Sequence, residues 1–349
     1  MALDDLIGRI KTACEKATPL RIRGAGSKDF YGGLLAGELL DVSAYRGVVA
    51  YEPSELFITA KCATPLAEIE ELLAARGQML AFEPPHFARA TVGGCVASGL
   101  AGPRRQQAGG VRDFVLGVKL IDGRGQALDF GGQVMKNVAG YDVSRLVAGS
   151  MGTLGLIAEV TLKVLPRPQA EKTLAFDCDE ATAIVKLNQW GGQPVPVSAS
   201  FWHAGRLSLR LSGAFAAVEA ASRKLGGEAV VNAENLWNSV REQTHSVFAA
   251  PLLWRLALPS ATPPLPLKGL SAIEWGGAQR WYAGDLPDIR AVAAGLGGHA
   301  VLYRAAESQR CREGAFAPLT PGMLALHRRI KKTFDPKGIL NPGRLYAEL

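Results

Sequence analysis

Three side-chain-poor stretches carry the chemistry that can be read from this chain. The first is Arg23-Gly24-Ala25-Gly26-Ser27-Lys28, into which a short predicted strand, Pro19-Leu20-Arg21-Ile22-Arg23, runs directly. A strand that empties into such residues exposes successive backbone N–H groups. Glycine tolerates the required backbone angles and lets an anion come close, and the flanking cations favour a phosphate. The pattern is neither of the familiar nucleotide loops. Asp29 stands where a dinucleotide fingerprint needs its third glycine, and Asp41 comes too early to be the ribose acid. Ser27 precedes Lys28, the reverse of the P-loop order. Taken alone, the stretch reads equally well as an ordinary β-turn.

The second stretch runs from Ala90 through Thr91-Val92-Gly93-Gly94-Cys95-Val96-Ala97-Ser98-Gly99 to Gly102, after Glu83-Pro84-Pro85-His86. The third is Gly149-Ser150-Met151-Gly152-Thr153-Leu154-Gly155-Leu156-Ile157. Residues this small bury little area and lose much entropy on folding, so they make poor core. They suit places where backbone must approach something flat or charged, and a pyrophosphate joined to a fused ring system fits that description. We read the second stretch as a loop.

The elements that position these stretches follow from periodicity. Leu3, Leu6, Ile7, Ile10 and Cys14 share one face of an opening helix. Strands are predicted at Val48–Tyr51, Leu56–Cys62, Val115–Ile121 and Leu154–Val164. A helix is predicted over Leu66–Arg76, with Thr64 as cap, Pro65 at the first position and Gly77 as stop. After Pro166-Arg167-Pro168 the texture changes. Strands at Thr173–Phe176, Leu207–Leu211, Leu252–Leu258 and Ala300–Tyr303 alternate with helices at Ala181–Trp190, Ala214–Leu225 and Asn235–Val247, as in a small α+β layer domain. A last helix is expected near Gly322–Phe334.

The bulk numbers exclude several classes. The 349 residues carry 39 Lys+Arg and 32 Asp+Glu, a net charge of +7, and 48% are hydrophobic, as in a well-packed globular chain. The bases are spread out and aromatics are 7%, so nucleic acid is not an expected partner. The densest basic cluster, Arg328-Arg329 with Lys331-Lys332, has helical spacing and reads as a solvated face. The five cysteines are single and the five histidines dispersed, so no metal site is expected. The longest uncharged stretch, 187–205, is broken by prolines, and the N-terminus is acidic where a signal peptide is basic. We expect a cytoplasmic chain.

The order RGAGSK, PPH-x-x-x-ATVGGCVASGLAG, VRDFVLGVKLIDGRG and GSMGTLGLIAEVTLKVLP resembles the PCMH-type FAD-binding domain of the vanillyl-alcohol-oxidase family. MKNVAGYDVSRLVAGS, LPRP, IEWGGAQRWY, GGHA and FDPKGILNPGRLYAEL extend the resemblance, over nearly the whole chain, to the smaller FAD-binding subunits of bacterial glycolate oxidases. The resemblance implies an α+β fold. A PCMH-type FAD-binding domain of two α/β subdomains spans 1–167, a reduced α+β cap domain 168–310, and a C-terminal segment packing back on the FAD domain 311–349.

It also implies cofactor contacts. Arg23, Gly24, Ala25, Gly26, Ser27 and Lys28 would wrap the FAD pyrophosphate. Pro84, Thr91, Gly93, Gly94, Val96, Ala97, Ser98, Gly99 and Gly102 would follow the pyrophosphate and flavin. Gly152, Gly155 and Ile157 would meet the adenine side. Arg112 and Asp113 are either cofactor shell or a turn ion pair. The paired Arg104-Arg105 reads as solvated. Asp142 of Tyr141–Arg145 reads as a helix cap, with a flavin-pocket role as the alternative. The first loop has no His or Cys, so FAD is expected to be non-covalent, and Cys95 reads as a packing residue.

Oxidising a 2-hydroxy acid needs a cation for the carboxylate, a base for the hydroxyl proton and a donor near the flavin edge. His86, His299, Arg280 and Arg304 are loose candidates, and none forms an acid–base constellation by spacing. The implied role is therefore that of one flavoprotein subunit in a multi-subunit glycolate oxidase. Its partners would be a larger flavoprotein subunit that oxidises glycolate to glyoxylate and an iron–sulfur subunit, with docking at the inner face of the plasma membrane left open. Three alternatives stand at this point: an electron relay, a structural subunit whose FAD stabilises the fold, and a stand-alone 2-hydroxy acid dehydrogenase.

Overall fold

The computed structural model describes residues 2–132 and 142–349; the whole MKNVAGY motif, Tyr141 included, lies outside the described residues. The chain opens with α1 (Leu3–Lys16), whose Leu6, Ile10 and Ala13 are buried and whose first turn carries Asp4 and Asp5. Acids at the N-terminal end suit the helix dipole. Next come β1 (Leu20–Arg23), β2 (Glu38–Asp41), β3 (Val48–Glu52), β4 (Phe57–Lys61), α2 (Leu66–Ala74) and the two-residue β5 (Gln78–Met79). Then follow α3 (Val92–Ser98), α4 (Arg105–Ala108), β6 (Val115–Ile121), β7 (Ala127–Gly131), α5 (Val143–Leu146), β8 (Leu156–Lys163) and β9 (Leu165–Pro166).

β1 and β2 pair in parallel, while an antiparallel five-stranded sheet runs β3-β4-β8-β6-β7. α2 and α3 pack on it through Leu66, Ile69, Leu73, Val92, Cys95 and Val96 against Ile58, Val118, Val160 and Leu162. α1 contributes Leu6 and Ile10 to a second cluster with Leu40, Ile121, Leu156 and Ala158.

The remainder builds β10 (Ala170–Asp177), α6 (Glu180–Gly191), β11 (Val197–His203), β12 (Arg206–Gly213), α7 (Phe215–Leu225), β13 (Glu228–Ala229) and α8 (Ala233–Arg241). They are followed by β14 (Leu253–Ala257), β15 (Leu270–Glu274), β16 (Gln279–Ala283), α9 (Ile289–Gly295), β17 (His299–Arg304), α10 (Glu307–Glu313) and α11 (Pro321–Phe334). Its strands form one eight-stranded sheet, β13-β10-β12-β11-β15-β16-β14-β17. Period-two alternation sorts β12 between two faces. Leu207, Leu209 and Leu211 pack beneath α6 and α7, while Ser208, Arg210 and Ser212 are buried on the other face.

That second face meets the five-stranded part through buried ion pairs. The Glu83 carboxylate takes the Arg104 backbone N–H at 2.8 Å and the Arg210 guanidinium at 2.8 Å, and Arg104 also pairs with Glu171. A second cluster joins Arg241 to Glu70 at 2.6 Å and to His86 at 2.7 Å, while Glu242 accepts the Phe87 N–H at 2.8 Å. Burial makes each of these pairs costly to break. Arg104 is 4% exposed, so the solvated reading of that residue is corrected: its partners come from β10 and β12, far away in sequence.

Three more expectations change. The second small-residue stretch is not all loop, because Val92–Ser98 is helical. Glycines disfavour a helix, but this one is held by packing, since a Cβ on Gly93 would lie 2.6 Å from the Cys62 Cβ. The helix expected over 235–247 ends at Arg241, and a 3-10 turn at Ser246–Phe248 follows. β2, β7, β11, β15 and β16 went unread, although Val197-Ser198-Ala199-Ser200-Phe201 in β11 alternates apolar and polar residues. Among the described residues no helix is long and apolar enough to cross a membrane.

Glu274 sits in the junction, 4% exposed, accepting hydrogen bonds from Trp281 Nε1 at 2.6 Å and Gln279 Nε2 at 3.0 Å. Burial pushes its pKa from 4.5 up to about 7, against the pull of those donors and of Arg255. In the unfolded chain the carboxyl ionises near its ordinary value, so the folded state binds the proton more tightly. Stability from this group is thus greatest below pH 4.5 and falls as the pH rises towards 7. At about 1.4 kcal/mol per pH unit the loss is roughly 3 kcal/mol. Glu274→Gln should remove this slope, seen as a wild-type-minus-variant difference that grows between pH 5 and pH 7 in denaturant unfolding; parallel profiles would refute it.

Candidate functional site

The three small-residue stretches converge on one cleft enclosing about 890 Å³, open to solvent. Its walls include Arg23 to Asp29, Thr91, Gly93, Gly94, Ala97 and Ser98, Gly152 and Gly155, Leu156 and Ile157. The convergence is tight because side chains are missing. A Cβ on Gly24 would stand 3.1 Å from Thr91 Oγ1, one on Gly152 2.6 Å from Asn341 Nδ2, and one on Gly155 2.6 Å from Leu120 Cγ. Gly26 has φ of +70°, and a Cβ there would overlap the Arg23 guanidinium, which pairs with Asp29 at 2.8 Å. α3 turns Val92, Cys95 and Val96 to the core and leaves Gly94 and Ala97 toward the cleft.

The C-terminal segment closes the cleft. Asn341 accepts the Ile22 N–H at 2.7 Å and donates to the Met151 carbonyl at 2.7 Å, tying β1 to the third stretch. Arg344 donates to the Lys28 carbonyl at 2.9 Å and to Gly33. Burial, then Arg310, pushes its pKa down to about 10. Asn341, Arg344 and Arg21 line the cleft and were missed by sequence reasoning; the NPGR ending was quoted for the resemblance without roles.

The electrostatics favour an anion. Arg21, Arg23, Lys28 and Arg344 line the cleft against the single carboxylate of Asp29. The buried Arg21 Nε has no hydrogen-bond partner. Lys28 is 9% exposed; its ammonium lies 3.4 Å from Ser27 Oγ and 5.5 Å from the Phe87 ring. Desolvation pulls the Lys28 pKa down, offset by Cys95 and Glu242. Cations held this dry with few counter-charges fit a diphosphate-bearing dinucleotide.

Other expected contacts lie outside the cleft lining. Val96 is core, with its carbonyl taking the Gly149 N–H at 2.9 Å. Gly99 ends α3 at φ +68°, and a Cβ on Gly102 would strike the Glu83 carbonyl at 2.3 Å. The Pro84 carbonyl accepts from Arg241 at 2.9 Å. Asp113 accepts the Gly110 N–H at 2.8 Å, a turn contact, and Arg112 reaches the Ala148 carbonyl at 3.4 Å. Asp142 caps α5 through the Arg145 N–H at 3.0 Å. Cys95 is fully buried, and burial pushes its thiol up to about 11.

None of the loose catalytic candidates lines the cleft. His86 is held by Glu70 and Arg241. Arg280 is fully buried and donates to the Pro263 carbonyl at 2.8 Å and to Thr262, pinning the proline-rich loop. His299 opens β17, paired with Ala257. Arg304 donates to the Phe248 carbonyl. Above the cleft, Phe30, Tyr31, Phe87, Tyr303, Phe316 and Trp281 pack on one another with centroids 4.9–5.7 Å apart, filling the junction with the eight-stranded sheet.

Residues 2–131 match the family model described as FAD binding domain, and residues 317–345 that of the FAD linked oxidases, C-terminal domain. The chain is 46% identical over 348 residues to the glycolate oxidase subunit GlcE of Escherichia coli, covering 99% of this chain and 97% of that protein. It is 30% identical over 174 residues to glycolate oxidase subunit GlcD of Bacillus subtilis, covering 49% of this chain and 37% of that one. Solved alkyldihydroxyacetonephosphate synthase shares the fold, with a TM-score of 0.65 at 14% identity over 97% of this chain and 74% of that one.

Neighbouring glycines of α3 separate cofactor from fold. Gly94 has only Thr91 Oγ1 at 3.4 Å beside its Cβ position, whereas Gly93 abuts Cys62. Gly94→Val should therefore lose FAD, read from visible absorbance, with far-UV circular dichroism retained. Gly93→Val should lower Tm and cost about 2 kcal/mol or more. Full FAD retention by Gly94→Val would sink the assignment of that face. The shared features of cleft, glycines and C-terminal clasp agree with the comparisons: the chain belongs to the FAD-linked oxidases, in the family of glycolate oxidase subunit GlcE, and its cofactor is FAD.

Proposed function

We propose that this chain is the smaller flavoprotein subunit of a multi-subunit glycolate oxidase and serves there as an electron relay. The observation that carries the reading is the contrast between a complete cofactor cleft and a junction filled with aromatic side chains. Conversion of glycolate to glyoxylate removes two electrons and two protons, and bound FAD would supply the two-electron acceptor. Residues of this chain would bind and orient that cofactor without a covalent link: Arg21, Arg23, Lys28 and Arg344 would hold its diphosphate, and Gly94 and Ala97 would leave room beside it. Phe30, Phe87 and Tyr303 exclude water from the junction. The hydroxyl proton of glycolate would be taken in a larger flavoprotein subunit, with an iron–sulfur subunit receiving the electrons.

A second reading rests on Arg255, Glu274, Gln279 and Tyr303, which line one narrow space that would have to widen to admit a substrate. There a guanidinium and a carboxyl with a pKa raised to about 7 could hold and deprotonate a small 2-hydroxy acid. In that case this chain would oxidise substrate unaided.

Anaerobic titration with glycolate separates the two. Relay predicts bleaching of this chain's flavin only when the larger subunit is present. Bleaching in the isolated chain, abolished by Arg255→Met, would support the second reading. No bleaching in either sample would leave a structural role for the FAD.

A further inference from the structure

α11 is under-covered for its composition. Of its fourteen residues Lys331 alone is buried, while Met323 and Leu326 are 45% and 40% exposed. The helix carries Arg328, Arg329, Lys331 and Lys332 and no acid. It is firmly seated nonetheless. Lys331 Nζ donates to the Thr153 carbonyl at 2.7 Å, the Leu340 carbonyl at 2.8 Å and Asp335 at 2.7 Å, all buried. The apolar face is therefore held open by a fixed helix.

Across from it Leu146, at the end of α5, is 40% exposed. Between Leu146 and the His327–Lys331 turn of α11 lies a concave space of about 620 Å³, walled by Leu146, Leu154, Ile330, Leu345 and Leu349, with Leu326 one helical turn from Ile330 on the exposed surface beside it. Arg112 stands at its edge. Among the described residues no ion pair is formed by Arg112, Arg328, Arg329 or Lys332. The floor is the third small-residue stretch: Ser150 and Thr153 face this space, while Met151 and Gly152 face the cofactor cleft.

We propose that this face docks a redox partner subunit that presents a bulky apolar side chain ringed by carboxylates. The inference rests on the multi-subunit reading above. A contiguous apolar patch rimmed by polar groups marks an interaction site. Unpaired cations around it select an acidic surface and steer its approach. The concavity selects a protein knob, because a desolvated pocket takes an anchoring side chain, whereas a flat bilayer would leave it unfilled. The position ties the partner to the cofactor: a knob seated here lies one loop's thickness from the adenine side of the FAD cleft.

The test uses the chain assembled with the larger flavoprotein subunit and the iron–sulfur subunit. Hydrogen exchange at residues 143–154 and 321–334 should slow at least tenfold on assembly. Leu326→Glu should weaken assembly tenfold or more, and Arg328→Glu with Arg329→Glu should weaken it most at low salt. Phe215→Glu, on α7 and 66% exposed, should leave assembly unchanged. Unaltered FAD content shows that each variant folds. If the wild type forms no complex, the multi-subunit reading fails and this inference with it. If the complex forms with these peptides unprotected and Leu326→Glu neutral, the docking face alone is overturned. It is equally overturned if the same peptides are already protected in the isolated chain. Binding of the isolated chain to anionic phospholipid vesicles, lost in Leu326→Glu, would give the face to a membrane instead.

Discussion

Around the cleft, bare backbone comes closer to neighbouring segments than a side chain of its own would permit, and much of the molecule is arranged to make that happen. At Gly24, Gly93, Gly152 and Gly155 a methyl group would collide with Thr91, Cys62, Asn341 and Leu120. Each collision point joins a different pair of segments: the first loop to α3, α3 to β4, the third stretch to the C-terminal tail, and β8 to β6. Enlarging any of these glycines would push a wall of the cleft outward. The arrangement has a cost, since glycine-rich segments lose much entropy on ordering and make weak helices. The offset comes from outside the segments. α3 is held by its neighbours on the sheet, and the tail contributes Asn341 and the buried Lys331–Asp335 pair.

The same economy explains what became of the ionisable residues. His86, Arg104, Arg210 and Arg241 form pairs that bolt the eight-stranded sheet to the first part of the chain. A histidine held between Glu70 and Arg241 is a poor free base, because its ring nitrogen is already engaged. Arg280 is spent in the same manner on two carbonyls of the proline-rich loop. Polar groups that would suggest catalysis in a sequence are here consumed by the need to satisfy buried charge.

What could be read beforehand follows the range of the interactions. The glycine runs were legible because a bare backbone leaves a compositional mark wherever it occurs. Strands such as β6, apolar apart from Gly117 and Lys119, were legible too. β2, with one buried position in four, gave no such mark, whereas the alternation of β11 over Val197–Phe201 was legible and was passed over. The helical state of Val92–Ser98 depends on Cys62, thirty residues upstream, and local propensity argues against it. Arg21, Asn341 and Arg344 were invisible as cleft residues for a related reason: nothing in the spacing of residues near 21 and near 341 says that they meet. The solvated reading of Arg104 failed on Glu171 and Ser212, which come from another sheet.

The tail gives the molecule a coupling between its two working surfaces. Asn341 holds the third stretch from the cleft side through the Met151 carbonyl, and Lys331 holds it from the α11 side through the Thr153 carbonyl. These two carbonyls flank Gly152, whose φ of +72° lets the chain turn between them. A displacement of α11 must therefore pull on Thr153, and a displacement of Met151 must pull on Asn341 and β1. Because Lys331 also bonds Asp335 and the Leu340 carbonyl, the helix and tail move as one body rather than sliding past each other. Packed, fully hydrogen-bonded contacts of this kind transmit position instead of absorbing it. The third stretch, the tail and α11 are thus hydrogen-bonded into one unit that borders both the cleft and the proposed docking face.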